Sequence, residues 1–268
     1  MTGMLTDRVA VVTGVSRRVG IGYAVAARLA AAGADVVAHS WEPHDAGQPW
    51  GADPLGAAGV VDDLRARLPE GAGNVWHLAA DLAEPTAPAA VIDAGVERFG
   101  SVDIVVATHA RSSAQGLFDL TADELDTSFA VNVRGSLLLA KRLAEVRDPA
   151  RPGGRVILFT SGQHLEPMPS ELPYIVSKGA LHQVTTSLAV ALAPHAITVN
   201  CVNPGPVDTG YADDELRARV IAGSPFGRWG TPQDTADLVA WLVSDAGKWV
   251  TGQTVVSDGG FSLRRGER

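Results

Sequence analysis

Short runs of β-branched and other apolar residues alternate along the chain with longer stretches in which apolar residues recur at helical spacing. The apolar runs predict strands at residues 9–13, 35–39, 75–78, 103–107, 155–160, 197–202 and 254–256. The stretches between them predict helices at residues 21–32, 60–68, 87–99, 122–145, 175–193 and 233–243. Strands that are apolar throughout and separated by helices are typical of a parallel sheet covered on both faces.

Right-handed crossovers between such strands produce a doubly wound sheet, so we expect a Rossmann-type α/β fold of about seven strands. Neither a repeat nor a linker interrupts the pattern, and residues 1–268 are expected to form a single domain. Two segments, 40–59 and 162–173, contain several prolines and glycines and are predicted to be loops. Each follows a strand, and a doubly wound sheet binds its ligand beyond the carboxyl ends of its strands.

The charge and cysteine content narrow the range of partners. The net charge is −8 with scattered acidic residues, and basic residues cluster only at Arg17 with Arg18 and at Arg264 with Arg265, which argues against nucleic-acid binding. The single cysteine, Cys201, excludes an internal disulfide and a cysteine-built zinc site, and no metal is expected. No apolar stretch approaches the ~20 residues of a membrane span and no secretory signal is visible, so we expect a cytoplasmic protein.

A glycine-rich segment, residues 13–22, joins the first predicted strand to the first predicted helix. Gly14, Gly20 and Gly22 would let the backbone approach a pyrophosphate, while the helix N-terminus presents free N–H groups to the phosphates. The spacing differs from G-x-G-x-x-G, and a plain strand-to-helix turn that uses glycine for its φ freedom is the alternative. Its place after the first strand of an alternating chain favours a dinucleotide site.

Tyr174 and Lys178 stand four residues apart in a predicted helix, which puts their side chains on one face. A neighbouring cation favours the phenolate and lowers the pKa of a tyrosine from its usual ~10. Tyr174 is therefore a candidate general acid for a carbonyl oxygen. Tyrosine and lysine at this spacing are also a common surface arrangement, so the pair needs further support.

Together with further segments, these motifs resemble the short-chain dehydrogenase/reductase family in its one-domain form, most closely the 3-oxoacyl-[acyl-carrier-protein] reductase branch. The resemblance extends from about residue 7 to residue 263. It rests on the glycine loop, the Tyr174–Lys178 pair, Asp81 with Leu82 after the third strand, Asn132, Ser161 thirteen residues before Tyr174, Asn-Pro-Gly at 203–205 and Asp-Gly-Gly at 258–260.

The resemblance implies a catalytic set of Asn132, Ser161, Tyr174 and Lys178. Tyr174 would protonate the carbonyl oxygen, or remove a proton in the oxidative direction, and Ser161 would hydrogen-bond that oxygen. Lys178 would bind the nicotinamide ribose and lower the pKa of Tyr174. Asn132 would hold a water that relays protons to Lys178. Structural roles are the alternatives: an interior hydrogen-bonder for Asn132, a strand-end cap for Ser161 and a helix N-cap for Asp81.

The resemblance also implies a set of cofactor contacts at the carboxyl ends of the strands. They are Gly14, Ser16, Arg17, Arg18, Gly20, Ile21, His39, Ser40, Asp81, Leu82, Ala107, His109, Tyr174, Lys178, Pro204, Gly205, Val207 and Thr209. The glycine loop carries two residues more between Gly14 and Gly20 than the common family spacing, which can shift its phosphate contacts. Residues 107–110 read Ala-Thr-His-Ala where the family has Asn-Asn-Ala-Gly, and His109 is expected to line the pocket without a catalytic role.

The end of the second predicted strand bears on the choice of cofactor. An acidic residue there would bind the adenine-ribose 2′-hydroxyl and repel a 2′-phosphate, but the sequence places His39 and Ser40 there. Arg17 offers a guanidinium suited to a phosphate. We therefore expect NADP(H), with NAD(H) as the alternative because Glu42 and Asp45 lie nearby.

The expected function is an NAD(P)(H)-dependent oxidoreductase for a small-molecule carbonyl or secondary alcohol, in the form of a ketone or 3-oxoacyl reductase. One alternative is a sugar, polyol or other secondary-alcohol dehydrogenase of the same fold. Another is a non-catalytic NADP(H)-sensing regulator, against which the complete catalytic set argues. Residues 162–173 and 206–226 are expected to wall the substrate pocket, the second as a mobile cover.

The resemblance also implies assembly as a homodimer or homotetramer. Trp241, Trp249 and residues 254–256 are candidates for such an interface. The apolar side chains expected in the wall of the pocket are Leu165, Met168, Val207 and Phe226.

Overall fold

The computed structural model describes residues 3–263, so Arg264 and Arg265 lie outside the described residues. Its strands are β1 (Val9–Val12), β2 (Asp35–Ser40), β3 (Val75–Ala79), β4 (Ile104–Val106), β5 (Gly154–Phe159), β6 (Ile197–Asn203) and β7 (Thr254–Val256). They form one seven-stranded sheet in the order β3-β2-β1-β4-β5-β6-β7, and every neighbouring pair is parallel. The doubly wound parallel sheet predicted from the apolar runs is confirmed.

The helices cover both faces of this sheet. They are α1 (Ile21–Ala31), α2 (Glu42–Ala46), α3 (Gly56–Arg67), α4 (Ala87–Phe99), α5 (Ala122–Ser128), α6 (Ser136–Val146), α7 (Leu172–Leu192), α8 (Asp214–Gly223) and α9 (Pro232–Val243). The buried side chains of α1, α3 and α9 pack on one face, and those of α4, α6 and α7 pack on the other.

The central strand β1 shows why an apolar run forms a buried strand here. Successive side chains of a strand point to opposite faces of the sheet. Ala10 and Val12 accordingly join the core beneath α1, whereas Val9 and Val11 join the core beneath α4 and α6. Both faces of β1 are therefore buried, which accounts for the absence of a polar alternation in its sequence.

The helix predicted over residues 122–145 is interrupted. A π-helical segment, Phe129–Gly135, separates α5 from α6. Within it, the Asn132 side chain bonds the backbone of Arg111 and the hydroxyl of Ser177, which belong to other elements. A π-helical turn inserts an extra residue and is frequent at functional sites. Since its cause is a tertiary contact, helical periodicity along the chain cannot reveal it.

One segment predicted to be a loop and one predicted to be a mobile cover of the pocket both contain helices. The segment 40–59 contains α2, which has a proline in its first turn, and the segment 206–226 contains α8. Asp213 caps α8 by accepting a hydrogen bond of 2.7 Å from the backbone N–H of Leu216. Neither helix has more than one buried residue, so the apolar pattern that reveals the longer helices is missing.

The parallel sheet brings the loops that follow β1, β2, β4, β5 and β6 to one edge. In sheets of this kind, ligands bind in the crevice outside the carboxyl ends of the strands. Within residues 3–263, no helix is both long and apolar enough to cross a membrane.

Candidate active site

A cleft of 490 Å³ lies at this edge, within the range of small-molecule and cofactor sites. Most of the residues expected to contact a cofactor line it. These are Gly14, Ser16, Arg17, Gly20, Ile21, His39, Asp81, Leu82, His109, Tyr174, Lys178, Pro204 and Thr209. The sequence-predicted glycine loop and Tyr174–Lys178 pair therefore open onto one cavity, although they are far apart in the chain.

The glycine loop has the geometry that a dinucleotide phosphate requires. Gly14 has a φ of +75°, and a side chain on Gly22 would collide with the carbonyl oxygen of Gly14. The N-cap of α1 is Gly20, and no side chain hydrogen-bonds the first N–H groups of this helix. Free amides at a helix N-terminus, approached by a glycine-lined backbone, bind phosphates well, so the residues present fit the cofactor.

Lys178 lies beneath Tyr174 and is itself buried. Its Nζ is 5.8 Å from the centroid of the Tyr174 ring and donates a hydrogen bond of 3.1 Å to the carbonyl oxygen of Phe159. Only 2% of the lysine is exposed, and this burial lowers its pKa to about 8. The ammonium is thus close enough to act on the phenol through charge, and it lies in a weakly hydrated environment.

The pKa of Tyr174 differs from the sequence expectation. Burial raises it above the ordinary value, the nearby charge of Glu171 raises it further, and only a hydrogen bond with Ser161 lowers it. The expectation that Lys178 holds this pKa down was therefore wrong for this structure. The reason is that burial disfavours the charged phenolate, and Lys178 is not among the groups that shift this pKa.

Ser161 follows β5, and its side chain lies near enough to the Tyr174 hydroxyl to lower the pKa of the phenol through hydrogen bonding. It begins a short 3₁₀ turn, but its side chain does not cap that turn. Its backbone N–H instead donates to Oε1 of Gln163 over 3.1 Å. The hydroxyl is thus directed toward Tyr174, as the functional interpretation requires, and the strand-end cap is not formed.

Asn132 is fully buried and all three of its amide positions are used. Its Oδ1 accepts from the backbone N–H of Arg111 at 2.7 Å, and its Nδ2 donates to Arg111 O at 3.1 Å and to Ser177 Oγ at 2.8 Å. Ser177 in turn donates to the carbonyl oxygen of Tyr174 at 2.7 Å. Asn132 thereby fixes the loop after β4 against the start of α7, where Tyr174 lies.

His109 lies in the wall of the cleft with both ring nitrogens bonded. Its Nε2 is 3.0 Å from the carbonyl oxygen of Val131, which can only accept, so Nδ1 is left to accept from the Thr13 hydroxyl at 2.7 Å. Burial lowers its pKa to about 3. The His109 ring is thus neutral, and each of its nitrogens forms a hydrogen bond that supports the loops after β1 and β4. This matches the expected role in lining the pocket.

Of the last two residues of β2, one faces the cleft and the other is buried within the sheet. His39 lines the cleft, and burial lowers its pKa to about 4. Its Nε2 donates to Ala80 O at 2.9 Å, and its Nδ1 has no hydrogen-bond partner among the described residues. Ser40 does not line the cleft, because its hydroxyl is buried in the sheet against Nε2 of His77, 2.8 Å away. Its predicted cofactor contact is thus not supported by its position.

Arg17 and Arg18 separate, although they are neighbours in the sequence. Arg17 lines the cleft. Arg18 faces away from it, and its Nε donates to both carboxylate oxygens of Asp53, at 3.0 and 3.2 Å. The predicted cofactor contact of Arg18 is therefore corrected: a nearby carboxylate already holds its guanidinium.

Three more predicted contacts lie outside the cleft lining. Ala107 is buried at the end of β4, and Val207 forms an isolated bridge with Gly230. Gly205 has a φ of +64° and packs so closely on Asp258 that a side chain would collide there. These residues shape the walls behind the cleft, and Gly205 joins the Asn-Pro-Gly segment to the Asp-Gly-Gly segment.

Asp81 lines the cleft and also stabilises its own loop. Its Oδ1 accepts a hydrogen bond of 2.8 Å from the backbone N–H of Ala83. A helix N-cap was the structural alternative for this residue, and the observed bond is a local turn of that kind ahead of α4. The turn leaves Asp81 at the wall of the cleft.

The side chains expected to form the apolar wall of the substrate pocket differ in their exposure. Phe226 is 76% exposed, and Val207 is buried. Tyr211, in the segment 206–226, carries a pKa that burial and the nearby groups Tyr174 and Glu171 raise to about 12. Glu171 and Tyr211 therefore lie near the phenol at the mouth of the cleft, and neither was predicted.

The loop 40–59, expected beyond the carboxyl end of β2, reaches the cleft through residues 41–53, which we call the strap, and none of these residues was among the predicted contacts. Trp41, Pro43, His44, Asp45 and Trp50 of the strap line the cleft. Arg111 and Ser112, after β4, line it as well. Two tryptophans in a segment rich in proline and glycine were the available signal, because large aromatic side chains are unusual in a purely solvated loop.

Among the described residues, no cluster of His, Cys, Asp and Glu is arranged to hold a metal ion. The one cysteine, Cys201, is buried in β6, and burial raises the pKa of its thiol to about 11. A buried thiol with a raised pKa is unreactive and packs as a small apolar side chain.

Residues 14–262 of the chain match the family described as enoyl-(acyl carrier protein) reductase. An uncharacterized oxidoreductase of Bacillus subtilis (strain 168), YjdA, is 34% identical over 256 residues, which cover 95% of this chain and 97% of that protein. The structure of the angucycline C-6 ketoreductase LanV with bound NADP is 32% identical, with a TM-score of 0.83 and 98% of each chain covered. A short chain dehydrogenase from Burkholderia cenocepacia J2315 in complex with NADP is 32% identical, with a TM-score of 0.81, covering 96% of this chain and 99% of its own.

Proposed function

The chain belongs to the short-chain dehydrogenase/reductase family of NAD(P)-dependent oxidoreductases, and we propose that it is an NADP(H)-dependent ketone reductase whose proton donor is Tyr174. The observation that carries the proposal is that Tyr174 and the buried Lys178 line one cleft, with Lys178 Nζ 5.8 Å from the centroid of the phenol ring and Ser161 near enough to lower the pKa of the phenol through a hydrogen bond. A hydroxyl pair beside a cation suits a carbonyl oxygen that gains negative charge.

The nicotinamide, when bound, supplies the hydride for the carbonyl carbon. Ser161 donates a hydrogen bond to the carbonyl oxygen, and Tyr174 transfers its phenolic proton to that oxygen. Lys178 stabilises the phenolate that remains, and Asn132 holds the start of α7 in register through Ser177. We propose that the backbone near Asn132 also holds the water from which Lys178 regains a proton.

The reductive direction is favoured by the protonation state of the phenol. A general acid must carry its proton at the working pH, and the raised pKa of Tyr174 keeps the phenol protonated through neutrality. A secondary-alcohol dehydrogenase, the second candidate, needs the phenolate as its base. Binding of NADP(H) without catalysis, as in a sensor, would leave the hydroxyl pair without a purpose.

The preference for NADP(H) rests on charge. β2 ends without an acidic residue that could repel a 2′-phosphate, and Arg17 brings a guanidinium to the cleft. LanV and the Burkholderia protein were both solved with NADP. Asp45 also lines the cleft, and its charge is what would favour NAD(H) instead.

The substrate is proposed to be a small-molecule ketone or a 3-oxoacyl thioester. The exposed aromatic side chains of Tyr211 and Phe226 offer an apolar approach to the cleft. We further propose that residues 1–268 form one domain and that the chain assembles as a homodimer or homotetramer. Exposed apolar side chains support such an interface: 95% of Trp249 is exposed, and Trp241 and Val256 are partly exposed.

Replacement of the proton donor tests the function. Tyr174→Phe should keep the affinity for NADPH and lower the rate of ketone reduction by at least ~10²-fold, because only the acid–base group is removed. Cofactor binding is measured by calorimetry and reduction by the absorbance of NADPH, across ketones and acyl thioesters. Near-normal turnover in the variant would overturn the mechanism, whereas NADPH binding without turnover by the unaltered protein on any substrate would favour the sensor.

A further inference from the structure

The strap spans the outer side of the cleft and is attached on both sides. At its start, Glu42 accepts a hydrogen bond of 2.9 Å from the backbone N–H of Ala57 in α3. In its middle, Nε2 of His44 accepts from the backbone N–H of Ser112, after β4, at 3.3 Å. At its end, Asp53 accepts from both the backbone N–H and the Nε of Arg18, at 3.1 and 3.0 Å. These contacts join the loops after β1, β2 and β4.

The two arginines of the glycine loop meet the strap in different ways. Arg18 forms an ion pair with Asp53, which neutralises its charge. Arg17 stacks on the indole of Trp50, with its Cζ 5.8 Å from the ring centroid. Across the part of the chain that the structure describes, no hydrogen bond or ion pair involves the Arg17 guanidinium. An aromatic face fixes the position of a guanidinium but leaves its charge uncompensated.

Trp50 itself has an unused hydrogen-bond donor. Its Nε1 is buried and has no partner among the described residues, while its ring belongs to the wall of the cleft. A buried donor without a partner destabilises a structure, and natural proteins rarely keep one without a reason. The same indole therefore carries an unpaired donor in its plane and an uncompensated guanidinium over its face, a combination that suits an anion.

We propose that the strap is a cofactor-binding element in which the Trp50 indole N–H and the Arg17 guanidinium hold one phosphate group of the dinucleotide from outside the cleft. The inference rests on the proposed binding of NADP(H). It also gives a purpose to the two extra residues of the glycine loop, since this loop supplies Arg17 for the phosphate and Arg18 to anchor the strap. The phosphate is either in the pyrophosphate or on the adenine ribose.

The surroundings of Arg17 leave room for such a phosphate. A side chain built on Gly210 would lie 3.4 Å from Nη2 of Arg17, so glycine at this position keeps the space beside the guanidinium open. Gly210 has a φ of +80° and follows Thr209, which also lines the cleft. The guanidinium thus lies between Trp50 of the strap and Gly210 in the loop after β6.

The test compares Trp50→Phe with the unaltered protein by isothermal titration calorimetry. Phenylalanine keeps an aromatic face for Arg17 and removes only the N–H donor, so the strap should stay in place. The probes are NADPH, NADH, ADP-ribose and adenosine 2′,5′-bisphosphate. The matched control is Trp249→Phe, because Trp249 is 95% exposed and does not line the cleft.

Loss of a hydrogen bond to a charged group should weaken binding roughly tenfold or more in Trp50→Phe, and the control should bind normally. Weakening of NADPH, NADH and ADP-ribose, with or without weakening of the bisphosphate, supports the inference and identifies the pyrophosphate. Weakening of only NADPH and the bisphosphate supports it and identifies the 2′-phosphate. Arg17→Ala should show the same pattern, and the double variant should lose less than the product of the two single losses, because both groups hold one phosphate.

Unchanged affinities in Trp50→Phe, with the melting temperature of the unaltered protein, would overturn the inference while leaving the proposed function standing. Additive losses in the double variant would also overturn it, since the two side chains would then act at separate places. If the unaltered protein bound neither NADPH nor NADH, the proposed function would fail and the inference would fail with it.

Discussion

Tyr174 is flanked along α7 by groups of opposite charge. Glu171 precedes it at the N-cap of the helix, and Lys178 follows one turn later. No hydrogen bond or ion pair to the Glu171 carboxylate occurs within residues 3–263, and burial raises the pKa of this group. The protonation of the phenol thus depends in part on a carboxylate that forms no ion pair among the described residues.

This arrangement predicts how Glu171→Gln changes the pH dependence of reduction. Reduction needs the protonated phenol, so kcat/KM should fall as the pH rises through the pKa of Tyr174. The negative charge of Glu171 raises that pKa, and its removal lowers it. The alkaline limb of the profile should therefore move to lower pH, which is measured from initial rates of ketone reduction between pH 6 and 11.

Glu70→Gln serves as the control, because Glu70 is an exposed residue in the loop before β3. It removes the same charge far from α7 and should leave the profile unchanged. A shift of the alkaline limb to higher pH in Glu171→Gln, or no shift at all, would show that this carboxylate does not act on Tyr174.

For single residues, the sequence predicted which side chains form the site, but it did not predict their pKa shifts or ion pairs. Tyr174 and Lys178 were predicted from their spacing and Ser161 from the family resemblance, and the structure brings the three together. The direction of the Tyr174 pKa was missed because it depends on burial, which the spacing of residues does not contain. The sequence also did not predict that Arg17 faces the cleft while Arg18 pairs with Asp53, because Asp53 lies 35 residues further along the chain.

Among the elements, α9 has the most complete N-terminal cap. The hydroxyl of Thr231 accepts from the backbone N–H of Asp234 at 3.2 Å, and the Asp234 carboxylate accepts from the backbone N–H of Thr231 at 2.7 Å. Arg228 also binds this carboxylate and, through that hydrogen bond, holds the pKa of Asp234 well below its usual range. The reciprocal bonds satisfy N–H groups that the first turn of a helix leaves unpaired.

Thr231→Ala should lower the free energy of unfolding by about 1 kcal/mol, the usual cost of removing an N-cap side chain. The measurement is urea denaturation followed by circular dichroism. The matched control is Thr86→Ala: Thr86 is the exposed N-cap residue of α4, and its side chain makes no capping bond. Equal effects of the two substitutions would contradict the assigned role of the Thr231 hydroxyl.

The long helices and most of the strands could be predicted because they bury a repeated apolar pattern, and the short edge strand β7, which has no fully buried residue, because its residues are β-branched. The short helices α2 and α8 could not, since their residues are mostly solvated. The π-helical segment was hidden for a different reason. Its sequence is compatible with an ordinary α-helix. The feature that sets the segment apart is the pair of hydrogen bonds from Asn132 to Arg111 and Ser177, which lie in other elements.

For the molecule as a whole, the edge of the sheet opposite the cleft depends on Asp103. Its carboxylate is fully buried and accepts from the backbone N–H of Val9 at 2.9 Å, which joins β4 to β1. It also pairs with Arg151 at 2.7 Å and lies 3.9 Å from the buried Arg8. One side chain thus connects the start of two central strands to the loop before β5.

Asp103→Asn should destabilise the protein by about 3–5 kcal/mol, because removing one partner leaves buried positive charge uncompensated. Urea denaturation measures the loss, and the KM for NADPH of the folded fraction should not change, since the cleft lies at the other edge. Asp237→Asn is the control: the pair of Asp237 with Arg28 lies at the surface, with 58% of the aspartate side chain exposed, and its loss should cost less than about 1 kcal/mol. A similar cost for both variants would refute the central role of Asp103.

The fold class and the position of the cleft were predictable for the whole chain, because alternation of strands and helices determines the topology and the topology determines which edge binds a ligand. The shape of the cleft was not. Its outer side is formed by the strap, whose place depends on single contacts such as His44 with Ser112 and Arg18 with Asp53. Such contacts leave no periodic signal in the sequence.

The position of β1 in the middle of the sheet has a consequence for how the chain is made. β2 pairs with one side of β1 soon after it in the chain, whereas β4, its other neighbour, begins only at Ile104. A ribosome that adds about 5–20 residues per second delivers β4 roughly 5–20 s after β1. During that interval the nascent polypeptide exposes an unpaired apolar edge, so the speed of translation and the supply of chaperones should govern the yield of soluble protein.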